Sequence, residues 1–271
     1  MTTMTKVPPA APVAPWLGGK KVLCTKIIER IEKVDHRTYA EPFVGMGGVF
    51  LRRSWKPVLE VANDLNGDVT NLFRILQRHY PQLMDVMRFG IASRREFDRL
   101  RDVDPATLTD LERAARFLYL QRQNFGGKPG GVFGVAPDRP PRFSLSRLEP
   151  ILEAAHERLE NVVFENLDWA ELIARYDGAG TFFYLDPPYW GGEDDYGKGL
   201  FDRDQFAKMA ELLGGIKGKF LMSINDRPEI RELFSAFNFE EVGLKYTVSK
   251  GAATDALELF ITNYEERATL L

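Results

Sequence analysis

The segment TFFYLDPPYW, residues 181–190, carries the residues best placed to do chemistry. Its first five residues are typical of a buried strand, and Asp186 follows them directly. Two prolines then fix the backbone, and Tyr189 adds a ring that can stack on a planar group. With average residue frequencies, Asp-Pro-Pro-Tyr should occur by chance in on the order of one chain in a thousand of this length. We therefore expect a binding or catalytic corner at the end of this strand.

Three other segments place a glycine turn or an acid where a predicted strand ends. TYAEPF leads into the turn VGMGGVFLRR, which is expected to enter a helix, and Gly45 and Gly47 let a ligand approach the backbone closely. PVLEVAND ends at Asp64, and NVVFEN is followed by Asp168. Because ligands bind beyond the carboxyl ends of parallel strands, these residues and Asp186 are expected to surround one site.

The ligand at this edge is expected to be a nucleoside without a pyrophosphate. Phe50 stands where a dinucleotide-binding loop needs a third glycine, and Ala14 stands where a phosphate loop ending at Lys20 needs its first. A carboxylate such as Asp64 suits a ribose diol, and Asp168 could accept from an adenine amino group. S-adenosylmethionine is a nucleoside of this kind that carries a cation. Taken singly, each of these two aspartates is more often a helix cap than a ligand.

The elements that position these residues alternate as strand and helix, which predicts a parallel α/β sheet. The alternation covers residues 15–80 and 161–271, and the last two strand-like runs have no helix between them, so they are expected to form an antiparallel edge. Residues 81–160 are instead predicted to form helices and a long glycine- and proline-rich loop. The proline- and alanine-rich residues 1–14 are expected to form a flexible tail.

Charge is distributed unevenly along the chain of 271 residues, whose formal net charge is −3. Between Arg113 and Arg147, seven basic residues stand against one acid. This basic window includes the long loop. It indicates either a solvated basic face or a phosphate-binding surface.

Composition argues against several other classes of protein. The three histidines are far apart, which disfavours a metal site, and Cys24 lies among apolar residues as a core side chain rather than a nucleophile. No apolar run approaches the roughly 18 residues of a membrane span. The expectation is a cytoplasmic protein without metal or membrane partner, either a monomer or a weak dimer.

Taken together, these segments resemble the Dam-type DNA adenine-N6 methyltransferases, the alpha group of the D12 class. The matching segments are APWLGGK, YAEPFVGMGGVFLRR, VANDLNGDVTNLF, ENLDWAEL, TFFYLDPPYW and SKGAATDALELFITNY, in the family's order. The resemblance implies a Rossmann-like methyltransferase sheet, mostly parallel with an antiparallel last strand, and a small helical insertion that reads DNA. It also implies transfer of a methyl group from S-adenosylmethionine to N6 of adenine in a short specific sequence of duplex DNA, with the base flipped out of the helix.

The same resemblance divides the chain and assigns the catalytic residues. Residues 15–80 and 161–271 would form the catalytic domain, and residues 81–160 the target-recognition insertion. The Asp186 carboxylate and the Pro187 carbonyl would hold the two hydrogens of the amino group, so that its lone pair localises toward the incoming methyl. Tyr189 would stack on the base. The catalytic set is Asp186, Pro187, Pro188 and Tyr189.

Binding residues are implied by the resemblance in the same way. Asp64 would hold the ribose, Leu65 would pack on the adenine, and Asp168 with Trp169 would contact the adenine amino group and edge. The cofactor set is Trp16, Gly18, Lys20, Phe43, Gly45, Gly47, Asp64, Leu65, Asp168, Trp169 and Asp186. The DNA-binding set is Arg122, Asn124, Lys128, Arg139 and Arg142. Tyr196 and Phe201 belong either to a loop that closes over the base or to a mobile surface loop.

Some departures from the family pattern leave the target open. Pro15 stands where relatives commonly have lysine, and Gly134 where asparagine is usual, so no target sequence is assigned. The same catalytic step could act on cytosine N4, an RNA adenine or a protein glutamine, although Asp186 favours adenine. A DNA-binding module that has lost catalysis is a further alternative, against which the intact motif argues. The sequence does not distinguish a phage enzyme, an orphan regulator or a restriction-modification pair.

Overall fold

The computed structural model describes residues 4–135, 138, 140–193, 199, 201–246 and 254–265. The elements follow in the order β1 (Thr5–Lys6), α1 (Cys24–Glu32), β2 (Thr38–Glu41), β3 (Trp55–Lys56), β4 (Leu59–Asn63), α2 (Gly67–Met87), α3 (Arg94–Arg101), α4 (Asp110–Gln123), α5 (Leu145–Arg158), β5 (Val163–Glu165), α6 (Trp169–Tyr176), β6 (Thr181–Leu185), α7 (Asp204–Gly215), β7 (Lys219–Asn225), α8 (Pro228–Leu233), β8 (Asn238–Tyr246) and β9 (Thr254–Thr262). Short 3₁₀ helices lie at Phe50–Arg52 and Pro105–Thr107. Within the described ranges, every helix is too short or too polar to cross a membrane.

Seven of these strands form one twisted sheet in the order β5-β4-β2-β6-β7-β9-β8. Strands β5, β4, β2, β6 and β7 pair in parallel, whereas β9 is antiparallel to both β7 and β8. The predicted fold class, including the antiparallel pairing of the last two strands, is confirmed. The chain builds outward from β2 to β5 on one side and from β6 to β7 on the other, so the strand order reverses between β2 and β6.

Alternate residues of each strand enter two separate cores, one on each face of the sheet. On β6, Phe182 and Tyr184 join the core that contains α1, α2, α4 and α5. Phe183 and Leu185 join the core that contains α6, α7 and α8. Because β6 is buried on both faces, its sequence is a continuous apolar run rather than an alternating one.

Helix α2 passes through the boundary predicted at residue 80. It is kinked at His79, whose φ of −135° and ψ of 33° are not helical, two residues before Pro81, which cannot continue the helical hydrogen bonding. The buried residues of α3, α4 and α5 belong to the same core as one face of the sheet. The helices of residues 81–160 are therefore packed onto the sheet layer through α2, and their separate role in DNA reading stays a prediction.

The flexible tail predicted for residues 1–14 is corrected by the structure for residues 4–14. Strand β1 pairs with β3, and the Ala10 N–H donates to the Leu51 carbonyl over 2.8 Å. Ala10, Val13 and Ala14 are buried in the core. Small apolar side chains between the prolines let this extended segment pack closely, which composition alone does not indicate.

The glycine turn does not lead into an α-helix as the sequence predicts. Only the 3₁₀ helix Phe50–Arg52 follows it, and the chain then forms β3 and returns to β4 at Leu59. The pairing of β1 with β3 occupies the residues that a longer helix would need.

A buried ion cluster fastens α5 to the sheet. Glu60 of β4 lies 2.9 Å from Arg53 Nη1 and 2.8 Å from Arg158 Nη1, the last residue of α5. The Arg53 guanidinium also lies 3.5 Å from the centre of the Tyr39 ring. All three charged residues are at most 4% exposed, so this cluster is a set of paired charges inside the protein.

Candidate active site

A cavity of about 510 Å³ lies where the strand order reverses, at the carboxyl ends of β2, β4 and β6. Glu41, Asp64 and Asp186, which end or follow these three strands, all contribute to its walls. This is the position at which open α/β sheets bind their ligands. The predicted catalytic and cofactor-binding residues that line it are Trp16, Lys20, Phe43, Gly45, Asp64, Leu65, Trp169, Asp186 and Pro188.

Asp186 forms a close ion pair with Lys20, whose ammonium nitrogen lies 2.6 Å from Asp186 Oδ1. The same nitrogen donates to the Tyr189 hydroxyl oxygen over 2.9 Å and to the Gly18 carbonyl over 3.1 Å. All three hydrogens of the ammonium are thus used. Burial raises the pKa of Asp186 to about 6, even though Lys20 opposes the shift. At neutral pH the carboxylate is ionised, and any amino group that binds to it must share it with Lys20.

Asp64 ties the glycine turn to the end of β4. Its Oδ2 accepts from the Gly45 N–H and its Oδ1 from the Asn66 N–H, both over 2.9 Å. Burial raises the pKa of Asp64 to about 6, and these two hydrogen bonds oppose the shift. Because a carboxylate has about four acceptor sites, Asp64 keeps capacity for a ligand.

Gly45 allows Trp16 to close one side of the cavity. It has a φ of +48°, and a Cβ atom there would lie 2.6 Å from Trp16 Nε1. Any other residue would displace the indole and strain the turn. The requirement for glycine at position 45 therefore comes from close packing of the tryptophan as well as from the turn.

Aromatic and aliphatic side chains form the remaining walls. The Trp169 indole N–H donates to Gln205 over 2.7 Å, so its ring is fixed. Phe201 is only 3% exposed, and its ring lies edge-on to Phe43 with centroids 6.0 Å apart. Phe201 is therefore a buried side chain in the cavity wall and not part of a mobile surface loop. Tyr196 lies outside the described residues.

Five of the predicted catalytic and cofactor-binding residues are not part of the cavity walls. Gly47 has a positive φ in the glycine turn. The Gly18 carbonyl accepts a hydrogen bond from the Lys20 ammonium. Asp168 is exposed and caps α6 by accepting from the Ala170 N–H over 2.8 Å, and its contact with the adenine amino group stays a prediction. Pro187 and Tyr189 lie next to wall residues, Pro187 between Asp186 and Pro188 in the chain and Tyr189 through its hydroxyl, which accepts from Lys20.

The candidate DNA-binding residues divide into exposed and internal ones. Lys128 and Arg142 are exposed, whereas Arg122 is partly buried and contributes to the cavity. Asn124 is buried, and its side chain donates to the Lys128 carbonyl, so it shapes the loop, and its contact with DNA stays a prediction. Arg139 lies outside the described residues.

Residues 123–134 form a hairpin-like loop next to the cavity. The Phe125 N–H donates to the Val132 carbonyl over 2.9 Å. Gln121 joins the loop to the cavity wall, since its amide nitrogen donates to the Pro15 carbonyl over 2.8 Å and to the Gly127 carbonyl over 2.6 Å. The basic window of the sequence therefore meets the strand-end site directly.

Glu41 is a cavity residue that was not among the residues predicted from the sequence. It is the last residue of β2, 2% exposed, and its carboxylate accepts from the Tyr39 hydroxyl. Burial raises the pKa of Glu41 to about 8, although Tyr39 and Arg53 oppose the shift, so the carboxyl is largely protonated at neutral pH. The rule that selected the other strand ends would also have selected Glu41, which directly precedes the turn.

Comparison with known proteins gives one family throughout. Residues 16–248 match a family model described as D12 class N6 adenine-specific DNA methyltransferase. The chain is 26% identical over 266 residues to the Type II methyltransferase M.CviBI of Paramecium bursaria Chlorella virus NC1A. This alignment covers 93% of this chain and 99% of that protein. It is 26% identical over 264 residues to the DNA adenine methylase of Escherichia coli (strain K12), covering 88% and 89%. The DNA N-6-adenine-methyltransferase of Escherichia phage P1 is 30% identical over 295 residues, covering 96% of this chain and 37% of that longer protein.

Proposed function

The chain belongs to the D12 class of N6 adenine-specific DNA methyltransferases, and from this premise we propose how it methylates adenine. The methyl donor is S-adenosylmethionine, and the target base lies within a short specific sequence of duplex DNA and is flipped out to reach the cavity. The observation that carries this proposal is the position of Asp186, which leads the Asp-Pro-Pro-Tyr motif into a nucleoside-sized cavity at the reversal of strand order.

The residues of the cavity fit S-adenosylmethionine. Asp64 keeps acceptor sites for the ribose hydroxyls, and Leu65 and Trp169 supply apolar surface for the adenine ring. Asp186 is ionised at neutral pH, which favours a cation nearby. When bound, the donor supplies a methyl group activated by a sulfonium. Trp16 and the turn at Gly45 would enclose its methionine portion.

Catalysis would depend on how Asp186 and the prolines hold the target amino group. The lone pair of an adenine amino nitrogen is delocalised into the ring, which makes the nitrogen a poor nucleophile. Hydrogen bonds from its two hydrogens to Asp186 and the Pro187 carbonyl would localise the lone pair toward the methyl group. Pro187 and Pro188 limit backbone motion, and Tyr189 would support the base. The nitrogen becomes acidic once methylated, so no strong base is needed before attack.

Residues 81–160 would bind the target DNA. Phe125 and Val132 on the hairpin-like loop, and Val135 directly after it, expose large apolar surfaces. Arg142 places its guanidinium 5.4 Å from the centre of the Phe125 ring. Exposed apolar side chains beside basic ones suit contact with bases between two phosphate backbones. The position of the loop against the cavity wall would bring the flipped base to Asp186.

A transfer assay tests the proposed function directly. Purified protein is incubated with S-adenosylmethionine labelled in its methyl group and with unmethylated duplex DNA, and the nucleosides are separated after digestion. Label is expected in N6-methyladenine and in a fixed sequence context. Label found only in cytosine or only in RNA would refute the substrate, and equal labelling of unrelated sequences would refute the short target site.

Arg142→Ala is expected to weaken DNA binding about tenfold at moderate salt and to reduce the slope of log K against log salt by about one, because a phosphate contact releases a counterion. Binding is measured by fluorescence anisotropy over a salt series. Lys217→Ala is the matched control. Lys217 is exposed and lies two residues before β7 begins, at the amino ends of the parallel strands, whereas the cavity lies at their carboxyl ends. A salt slope unchanged in Arg142→Ala would remove this arginine from the interface.

A further inference from the structure

Glu258 is a buried carboxylate close to the catalytic motif that no step described so far uses. It lies on β9, opposite Asn225 of β7, and is 3% exposed. Its Oε1 accepts from the Tyr189 hydroxyl, while its Oε2 has no hydrogen-bond partner in the described part of the protein. Burying a carboxylate with an unpaired oxygen opposes folding. Packing of β9 alone therefore gives no reason for an acid at this position.

The hydrogen-bond directions around Tyr189 are fully determined. Its single hydroxyl hydrogen goes to Glu258, and its oxygen accepts from Lys20 Nζ over 2.9 Å. Lys20 in turn donates to Asp186 over 2.6 Å. Glu258, Tyr189, Lys20 and Asp186 thus form one continuous chain from the interior of the sheet to the cavity wall.

We propose that Glu258 is a positioning residue for methyl transfer, which acts through the Tyr189 hydroxyl. By accepting that hydrogen in a charge-assisted bond, it fixes the tyrosine ring beside the target base and leaves the phenol oxygen free to accept from Lys20. Lys20 is thereby held between Tyr189 and Asp186, so that it does not bind Asp186 alone and block the acceptor. The proposal rests on the functions proposed above for Asp186 and Tyr189.

The charge of Glu258 also acts on Asp186. Burial is the main cause of the raised pKa of Asp186; Lys20 and the Ser223 hydroxyl lower it, and Glu258 raises it further. The ionised Asp186 carboxylate is the stronger acceptor for the amino hydrogens, so activity is highest above its pKa and decreases as pH falls through about 6. Removing the charge of Glu258 lowers that pKa, so the acidic limb of the activity profile should move to lower pH.

A double-mutant cycle tests the proposal. Glu258→Gln keeps the shape of the side chain but removes its charge, and Tyr189→Phe removes the hydroxyl through which it acts. Each is expected to lower kcat roughly tenfold, with the KM for S-adenosylmethionine little changed. Because both remove one shared interaction, the double variant should be no slower than the slower single variant. Glu258→Gln should also shift the acidic limb downward, which a purely structural residue would not do.

The matched control is Glu240→Gln on the neighbouring strand β8. Glu240 is an exposed acid paired with Arg30, and its replacement should leave both kcat and the acidic limb unchanged. Losses that multiply in the double variant, or a Glu258→Gln enzyme with unchanged kcat and acidic limb, would overturn the proposal. Should Glu258→Gln fail to fold, Tyr189→Phe still decides, because unchanged kcat in that variant excludes any action through the hydroxyl. Failure of the proposed function itself is distinguishable, since the wild-type protein would then place no label in adenine.

Discussion

Asp186→Ala is expected to lower kcat about 10³-fold at saturating methyl donor, while the Kd for DNA changes by less than about threefold. The substitution removes the only side chain in the proposed mechanism that holds the target amino group. The DNA surface assigned to residues 81–160 is left intact. Single-turnover methylation and anisotropy binding on the same preparation measure the two quantities separately.

Asp186→Asn is the matched control for this prediction. The amide keeps the size of the side chain and one acceptor oxygen but lacks the charge that pairs with Lys20. Its kcat is expected to fall by about 10²-fold, between wild type and alanine. Because Lys20 is only 5% exposed and loses its counter-charge in both variants, folded protein is quantified by its thermal transition before rates are compared. Equal losses of turnover and DNA affinity would show that Asp186 belongs to the DNA surface and not to the catalytic step.

The strand ends were predictable because each carries a local signal. A buried apolar run followed by an acid or a glycine turn identified Gly45, Asp64 and Asp186, and parallel strands bring such ends to one edge. The structure places all three at the cavity. The same local signal is ambiguous for Asp168, because an acid after a strand is also the first residue of many helices, and here it caps α6.

Glu258 could not be predicted, because its position depends on strand order rather than on any local pattern. A final strand can add to the edge of a sheet or insert between two earlier strands, and both arrangements give the same apolar pattern. Here β9 lies between β7 and β8, which brings Glu258 next to Tyr189 of a distant segment. Only the pairing of β9 with β7 makes an acid in an apolar strand interpretable.

The packing of residues 4–14 is a second feature of the fold that could not be predicted from the sequence. Proline and alanine are common in disordered tails, yet the same residues can pack as an extended segment when a surface is available. In this protein that surface includes Leu51 and the strand β3. Neither partner is identifiable until the fold is known.

Glu60→Ala is expected to lower the free energy of unfolding by about 3–5 kcal/mol, the typical effect of removing one partner from a buried ion cluster. Arg53 and Arg158, at most 4% exposed, would both lose their carboxylate in the interior. For a chain of this size the thermal midpoint should fall by roughly 10 °C. Chemical and thermal denaturation of the purified variant measure the effect.

Two control variants distinguish the destabilisation caused by unpaired buried charge from that caused by loss of packing. Glu240→Gln breaks the exposed pair with Arg30 and should change stability by less than about 1 kcal/mol. Replacing Arg53 and Arg158 by methionine in the Glu60→Ala background should restore part of the loss, because it removes the unpaired charges and keeps apolar volume. A Glu60→Ala protein as stable as wild type would mean that water reaches both arginines. Since Arg158 ends α5 and Glu60 belongs to β4, the result also measures how strongly α5 is fastened to the sheet that carries Asp186.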